Sequence, residues 1–367
     1  VRILFLNQYF PPDPAPTGIL LREVADALAE AGHEVVFASA GQDYRGGQGR
    51  GSRMRRELHG LWNIFRSALK AGRIDAVVSA TSPPLLVFPA AVIAKIRGAR
   101  HYHWLFDRYP ELATALGEIR PGIAERAFSG AAGWAYRAAT GVVALDQDMV
   151  DRLKPHGVQA RIIPPWVFRS LLEARAAQLP GDAPPGGQEP VWLYSGNLGR
   201  AHEWKTLLDA QQIIESTGSP WRLVFQGGGP AWPAAREYAE RLGLKRCEWR
   251  PYVPEAELPA SLLAADVLVV TQKPETCGLL WPSKLALATS LPRPILWVGP
   301  VDRAIARDLA AIPGTGIFPP GAAKPVADWL VTSGSTPRTD VRDAAAVRAA
   351  GLRDWVALVE GGRPLRG

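Results

Sequence analysis

Three glycine-bearing turns in the C-terminal half of the chain carry the residue types that handle phosphate. Tyr194-Ser195-Gly196-Asn197-Leu198-Gly199-Arg200 stands between an expected strand and helix, with Lys205 one turn into that helix. Glycines let the backbone approach an anion, and the cations Arg200 and Lys205 neutralise a diphosphate. The competing reading is a tight strand-to-helix turn with solvated charges. Gln226-Gly227-Gly228-Gly229-Pro230 follows the next strand and is placed to pass close to a base or ribose. In the third turn, Lys273 to Leu285, Gly278 and Leu279 offer main-chain amides, Glu275 can accept from sugar hydroxyls and Lys284 can meet phosphate. Near the amino terminus a proline-rich loop, Pro11 to Pro16, ends in Thr17-Gly18 at a helix start. Free N–H groups and the helix dipole can hold a phosphate there; a rigid N-capped turn is the alternative.

Other chemistries find less support. A nicotinamide fingerprint needs three glycines directly after the first strand, where this chain has prolines. Cys247 and Cys277 stand thirty residues apart without the pairing of a zinc site or disulfide framework, so a reducing cytoplasm is expected. The opening Val1 to Leu6 lacks the basic flank and cleavage signal of a secretory peptide and reads as a buried strand. Asp146-Gln147-Asp148 has the look of a metal-binding triplet, yet acids at a helix start serve the dipole and the cap. His101 and His103 alternate with Tyr102 and Trp104, the pattern of a packed strand face rather than of metal ligands. Neither metal nor cofactor is expected.

These turns need a scaffold. Strand Ile3–Asn7, a helix from Thr17 or Gly18 to Ala31 stopped by Gly32, and strand Glu34–Ala38 make a right-handed parallel crossover. The alternation continues to about Phe168, breaks at the proline- and glycine-rich run Leu179–Gly187, and restarts at Val191. The fold class expected is α/β: two Rossmann-like, doubly wound parallel-sheet domains facing across a cleft, with ligands at the carboxyl ends of the strands. Residues 1–168 would be the N-terminal domain, 169–189 a linker and 190–340 the C-terminal domain. A C-terminal helix and tail, 341–367, would pack back on the first domain. The uncharged stretch Ala76–Ala94 is interrupted by Ser82-Pro83-Pro84 and Pro89, so strand, turn and helix are expected in place of a membrane span.

With 367 residues and 47% hydrophobic residues the chain can build two cores. A formal charge of +7 favours anionic partners. Between Arg45 and Arg73 eight basic residues meet one acid, Glu57, and Leu58, Leu61, Ile64, Phe65 and Leu69 interleave with them at helical spacing. Two readings stand: a helix on an anionic membrane through residues 45–73, or a helix whose apolar face is core. Nucleic acid is an unlikely partner, because no recognised binding module is present.

Taken together, Asn7-Gln8-Tyr9-Phe10-Pro11-Pro12, Gly32-His33-Glu34-Val35, Ile163-Pro164-Pro165-Trp166, Ser195 to Gly199 and Pro282-Ser283-Lys284 resemble the retaining glycosyltransferase family 4, of GT-B type. The matches run from Ile3 to about Val298, and the closest flavour is the amino-sugar and fucose transferases of surface-polysaccharide assembly. The resemblance implies that Gly18 touches a donor diphosphate that Arg200, Lys205, Lys284 and the turn at Asn197 hold from the other domain. Gly196, Gly227, Gly228, Gly278 and Leu279 would line the nucleotide and sugar. Glu275 matches the first glutamate of the family's paired motif. The second falls on Leu287 or Ser283, neither acidic, and Asn197 replaces a common phosphate-binding arginine. Asp107 lies where many members place a histidine near the reacting sugar, with Thr17, His103 and Tyr109 on the acceptor side.

The function expected is metal-independent, retaining transfer of a hexose or amino sugar from a nucleotide sugar to an acceptor glycan or small molecule. A lipid-linked intermediate and a secondary-metabolite aglycone are both candidate acceptors. The site would be cytoplasmic, including the inner face of the plasma membrane. A nucleotide-sugar 2-epimerase of the same build and a nonenzymatic sugar-nucleotide binder are the alternatives. The donor base, the linkage and the oligomeric state are not encoded in any of these motifs.

Overall fold

The computed structural model describes residues 1–40, 53–176, 189–334 and 340–361. Arg45, Arg50 and the run Leu179–Gly187 lie outside them. The chain divides into two compact units: Val1–Pro165 with Gly278–Trp281 and the residues from Arg348 onward, and Trp166–Cys277 with Pro282–Val347.

The first unit alternates β1 (Arg2–Leu6), α1 (Pro16–Glu30), β2 (Glu34–Ala38), α2 (Arg53–Leu69), β3 (Ala76–Ser79), α3 (Val87–Arg97), β4 (Arg100–Trp104), α4 (Glu111–Ala115), α5 (Ile123–Ala138), β5 (Gly141–Ala144), α6 (Gln147–Leu153) and β6 (Ala160–Ile162). Its sheet is parallel throughout, in the order β2-β1-β3-β4-β5-β6. Ile3 to Leu6 and all of β3 are buried, the unbroken apolar runs of strands covered on both faces. Leu4, Val77 and His101 are neighbours in register and share a face. Ile64 and Ala68 of α2 and Ala90 and Ile93 of α3 pack with Leu4, Leu6 and Val77 there. Tyr136 of α5 lies 5.4 Å from the His103 ring on that face.

The second unit holds α7 (Arg169–Ala176), β7 (Val191–Asn197), α8 (Lys205–Ser216), β8 (Arg222–Gly228), α9 (Trp232–Arg241), β9 (Cys247–Arg250), α10 (Leu258–Leu263), β10 (Val267–Thr271), α11 (Lys284–Thr289), β11 (Ile295–Val298), α12 (Ala304–Ala310), β12 (Thr315–Phe318) and α13 (Ala323–Ser333). The last helix, α14 (Ala344–Gly361), starts in this unit and counts with the first from Arg348. The second sheet runs β12-β11-β10-β7-β8-β9, again parallel. Trp192, Tyr194, Leu207, Leu223 and Phe225 centre its core, where Phe225 stacks on Trp249 at 4.5 Å. The fold is a two-domain α/β GT-B fold.

Each strand order reverses direction once, beside β1 in the first sheet and beside β7 in the second, the point at which open α/β sheets bind their ligands. The sequence reading of Ala76–Ala94 holds: β3, a proline turn and α3. No helix among the described residues is long and apolar enough to cross a membrane. Other expectations shift. Residues 169–176, expected in the linker, form α7 with Leu171 buried. Helix α8 begins at Lys205 itself, which was expected one turn into the helix, and Glu203 just ahead of it accepts from the Thr206 amide at 3.0 Å. Edge strand β6, half-exposed and without an apolar run, gave no sequence signal.

Candidate active site

In the second unit the loops after β7 and β10 are joined: the Lys273 amide donates to the Ala201 carbonyl at 2.8 Å, and the His202 Nδ1–H donates to the Thr271 carbonyl at 3.0 Å. Next to that junction β7 and β8 stay paired to their ends, Gly196 with Gly227 and Asn197 with Gly228. Gly227 has φ +137°, and a β-carbon on it would stand 2.3 Å from the Gly196 carbonyl oxygen, so only glycine fits. Over this pair lies Lys284, the first residue of α11. Its Nζ donates to the Asn197 carbonyl at 3.3 Å and sits 4.8 Å from the Tyr194 ring centre. The Tyr194 hydroxyl donates to the same carbonyl at 2.8 Å. A β-carbon on Gly196 would come within 2.9 Å of Lys284 Cε, so the bare glycine admits the lysine stem.

Burial pushes the Lys284 ammonium down to about 7. Burial, and then the Lys284 charge, bring His202 down to about 3, leaving it neutral with its proton on Nδ1. A lysine near its titration point, held over glycine backbone, is suited to receive the charge of a phosphate group.

The first unit repeats the arrangement at its own reversal point. The loops after β1 and β3 are tied by the Gln8 amide on the Ser82 carbonyl at 2.6 Å and by Ser82 Oγ on Gln8 Oε1 at 3.0 Å. Gly18, in the first turn of α1, is buried under the Tyr9 carbonyl, where a β-carbon would stand 2.5 Å away. Thr17 and Gly18 therefore lie where a helix leaves its first amides without intrahelical acceptors. Asp107 follows β4; its amide donates to Thr81 Oγ1 at 3.2 Å, and burial pushes its carboxyl up to about 6. Tyr109 is partly buried two residues on.

Two expected roles meet a different placement. His103, expected on the acceptor side, is 1% exposed, hydrogen-bonded through Nδ1 to Ser79 Oγ at 2.8 Å and covered by Tyr136. Burial and the neighbouring His101 hold it well below its ordinary value, so it is a neutral interior group. Lys205 lies over the Tyr238 ring at 5.4 Å, while Lys284 lies over Tyr194. Gly196, Asn197, Gly227, Gly228 and Lys284 are thus brought together, while Arg200 and Glu275 are exposed in the adjoining loops. Gly278 and Leu279 count with the first unit, where the Leu279 carbonyl accepts from the Arg108 amide at 2.8 Å. Of the two positions for the second glutamate, Leu287 is buried in α11 and Ser283 is exposed at its start. Asp146 caps α6, accepting from the Met149 amide at 2.8 Å, and no group of three or more metal-ligating side chains occurs among the described residues.

Sequence reasoning missed a buried ion pair behind Asp107. Arg108, 5% exposed, donates to Glu111 at 2.8 Å and to His156 Nε2 at 2.7 Å. It also donates to the Arg152 carbonyl. Its only signal was an arginine three residues before a glutamate after a strand. His202 and Tyr252, whose ring lies against Gly228, were missed too, and Gln226, singled out only as part of its turn, donates to Ser195 Oγ at 3.1 Å.

The comparisons with known proteins bear on these two half-sites. The family model described as Glycosyltransferase Family 4 matches residues 17–169, and that described as Glycosyl transferases group 1 matches residues 178–280. Both halves of the chain thus match glycosyltransferase family models. The chain is 26% identical over 253 residues to the probable glycosyltransferase WbjE of Pseudomonas aeruginosa, covering 65% of this chain and 62% of that one. It is 25% identical over 227 residues to the putative colanic acid biosynthesis glycosyl transferase WcaI of Escherichia coli, covering 59% and 54%. The chain thus spans less than two thirds of the length of these curated relatives. Among solved structures, a sucrose-phosphate synthase from Thermosynechococcus elongatus superposes with a TM-score of 0.64 at 17% identity, covering 98% of this chain and 96% of that one. Anabaena Alr3699/HepE in complex with UDP-glucose gives 0.63 at 16%, covering 98% of both. At such identities the likeness speaks for the GT-B fold.

Proposed function

We propose that this glycosyltransferase moves a hexose or amino sugar from a nucleotide-diphosphate sugar to an acceptor glycan, with retention and without a metal. The observation that carries the reading is Lys284 held over the Gly196–Gly227 pair at the reversal point of the second sheet. Sugar transfer builds negative charge on the departing diphosphate, and a fixed cation with glycine backbone beside it stabilises that charge. Arg200, exposed in the loop after β7, is a further cation of the donor half. The first unit supplies the Thr17-Gly18 helix start and the Asp107 carboxyl, which would orient a sugar or acceptor hydroxyl. The name of WcaI, a putative colanic acid biosynthesis glycosyl transferase, supports an acceptor in polysaccharide assembly, and we place that acceptor at the inner face of a membrane.

A thermal-shift panel over the diphosphates of uridine, guanosine, adenosine and thymidine tests the donor reading, since a ligand bound only by the folded state raises Tm. One nucleotide should raise Tm by several degrees in the parent protein and not in Lys284→Met. No shift with any of the four would sink the proposal. Incubation with the nucleotide sugar alone separates transfer from epimerisation, because a 2-epimerase converts the sugar without an acceptor.

A further inference from the structure

Large apolar side chains are unevenly spread over the surface of this protein. Of fourteen that are exposed among the described residues, nine lie between Leu58 and Trp134, on α2, on α3, and on α5 with the loop before it. These three helices form one layer: α2 and α3 share a core cluster on one face of the first sheet, and α5 packs on the same face through Tyr136 and His103. The opposite face is covered by the chain itself, for Trp355 of α14 packs on Trp104 at 5.0 Å and Arg348 pairs with Glu23 of α1 at 2.7 Å.

The exposed residues follow the outward stripe of each helix. On α2, Leu58, Trp62 and Leu69 recur at helical spacing; on α3, Val92 and Ile96 are one turn apart; on α5, Ile123 and Trp134 are three turns apart. Ile123 is 86% exposed, Ile96 61% and Trp62 57%, so these side chains stand out from the layer rather than lining a groove. Arg66, Lys70, Lys95 and Arg126 are exposed on the same helices, against Glu118 as the exposed acid of this region among the described residues.

We propose that the α2–α3–α5 face docks the protein on an anionic lipid bilayer. It deepens the membrane part of the preceding proposal and does not depend on the donor site. Protruding Trp, Phe, Ile and Leu with Lys and Arg among them is what an interfacial surface needs: apolar groups enter the acyl boundary while cations meet headgroup phosphates. A second copy is disfavoured by the same charges, because a two-fold interface would set these cations against themselves. The face lies on the membrane rather than crossing it, as no described helix is long and apolar enough to span.

The test is flotation of the whole protein with vesicles of phosphatidylcholine containing phosphatidylglycerol, beside vesicles of phosphatidylcholine alone. The parent should float with the anionic vesicles, less so at high salt, and stay behind with the neutral ones. Trp62→Glu with Ile96→Glu and Trp134→Glu, and separately Lys70→Glu with Lys95→Glu and Arg126→Glu, should each lower binding about tenfold or more. Both variants should keep the parent Tm and its shift with nucleotide diphosphate. A parent that ignores anionic vesicles, equal binding to neutral ones, or variants that float like the parent would overturn the proposal. So would a parent dimer, seen by sedimentation velocity, that the apolar triple variant splits into monomers. Loss of the nucleotide shift with vesicle binding intact would instead count against the donor reading alone.

Discussion

Where Lys284 packs over Tyr194, burial brings its ammonium down to about 7, so at pH 8 much of it is neutral in the unliganded protein. A bound diphosphate favours the charged form, so binding must take up a proton above pH 7, and affinity should fall by up to tenfold per pH unit there. Calorimetry at pH 8 in buffers of different ionisation enthalpy should show that uptake, and Lys284→Met should abolish it while weakening binding about ten- to a hundredfold. Asp107 has the opposite sign. Its carboxyl rises from an ordinary 3.8 to about 6, so the folded state prefers the proton; that stability is complete below pH 4 and is lost as pH rises through 6. Asp107→Asn should therefore be more stable than the parent at pH 8 by about 2–3 kcal/mol, with no difference at pH 3.5. If the carboxylate orients a substrate hydroxyl, the same variant should lose about a hundredfold in transfer, and the parent rate should fall below pH 6. A parent rate flat from pH 5 to 8 would remove Asp107 from the reaction. Sequence showed these residues at strand ends but could not show which were covered: His103 and Asp107 stand four positions apart on one segment, and only the seating of α5 puts the first beneath a helix.

Elements were legible wherever an apolar period and a stop signal coincided. Strand β2 has the bounds expected from sequence, and α1 ends at Glu30, just before the expected stop at Gly32 with φ +87°. What failed were elements stabilised by partners distant in sequence, such as edge strand β6 and helix α7. The turn at Gly227 ties local conformation to packing, and Gly227→Ala forces both a strained φ and a contact at 2.3 Å. Destabilisation of about 2 kcal/mol or more is expected, read as a lower denaturation midpoint with an unchanged slope. Asp146→Ala separates a cap from a metal ligand: it should cost about 1 kcal/mol of stability. Transfer, if metal-independent, should be equal with and without EDTA in both proteins, and an activity that EDTA abolishes would refute that part of the proposal.

For the whole molecule, the sequence announced two α/β halves and a C-terminal helix returning to the first, but not the short excursion Gly278–Trp281, which counts with the first unit. Four residues carry no periodicity of their own, whereas the return of α14 is a whole helix packing on the first sheet. Trp355, 0% exposed against Trp104, makes this packing measurable. Trp355→Ala should destabilise the first unit by about 3–5 kcal/mol and lower its melting ahead of the second. A single unchanged transition would show that α14 adds nothing to the first core. The bond between Arg348 and Glu23 joins residues 325 positions apart. During synthesis the ribosome must therefore deliver α14 before the first unit, begun at β1, can be finished. Until then its tryptophan surface stays uncovered, and the half made second is free to mature first.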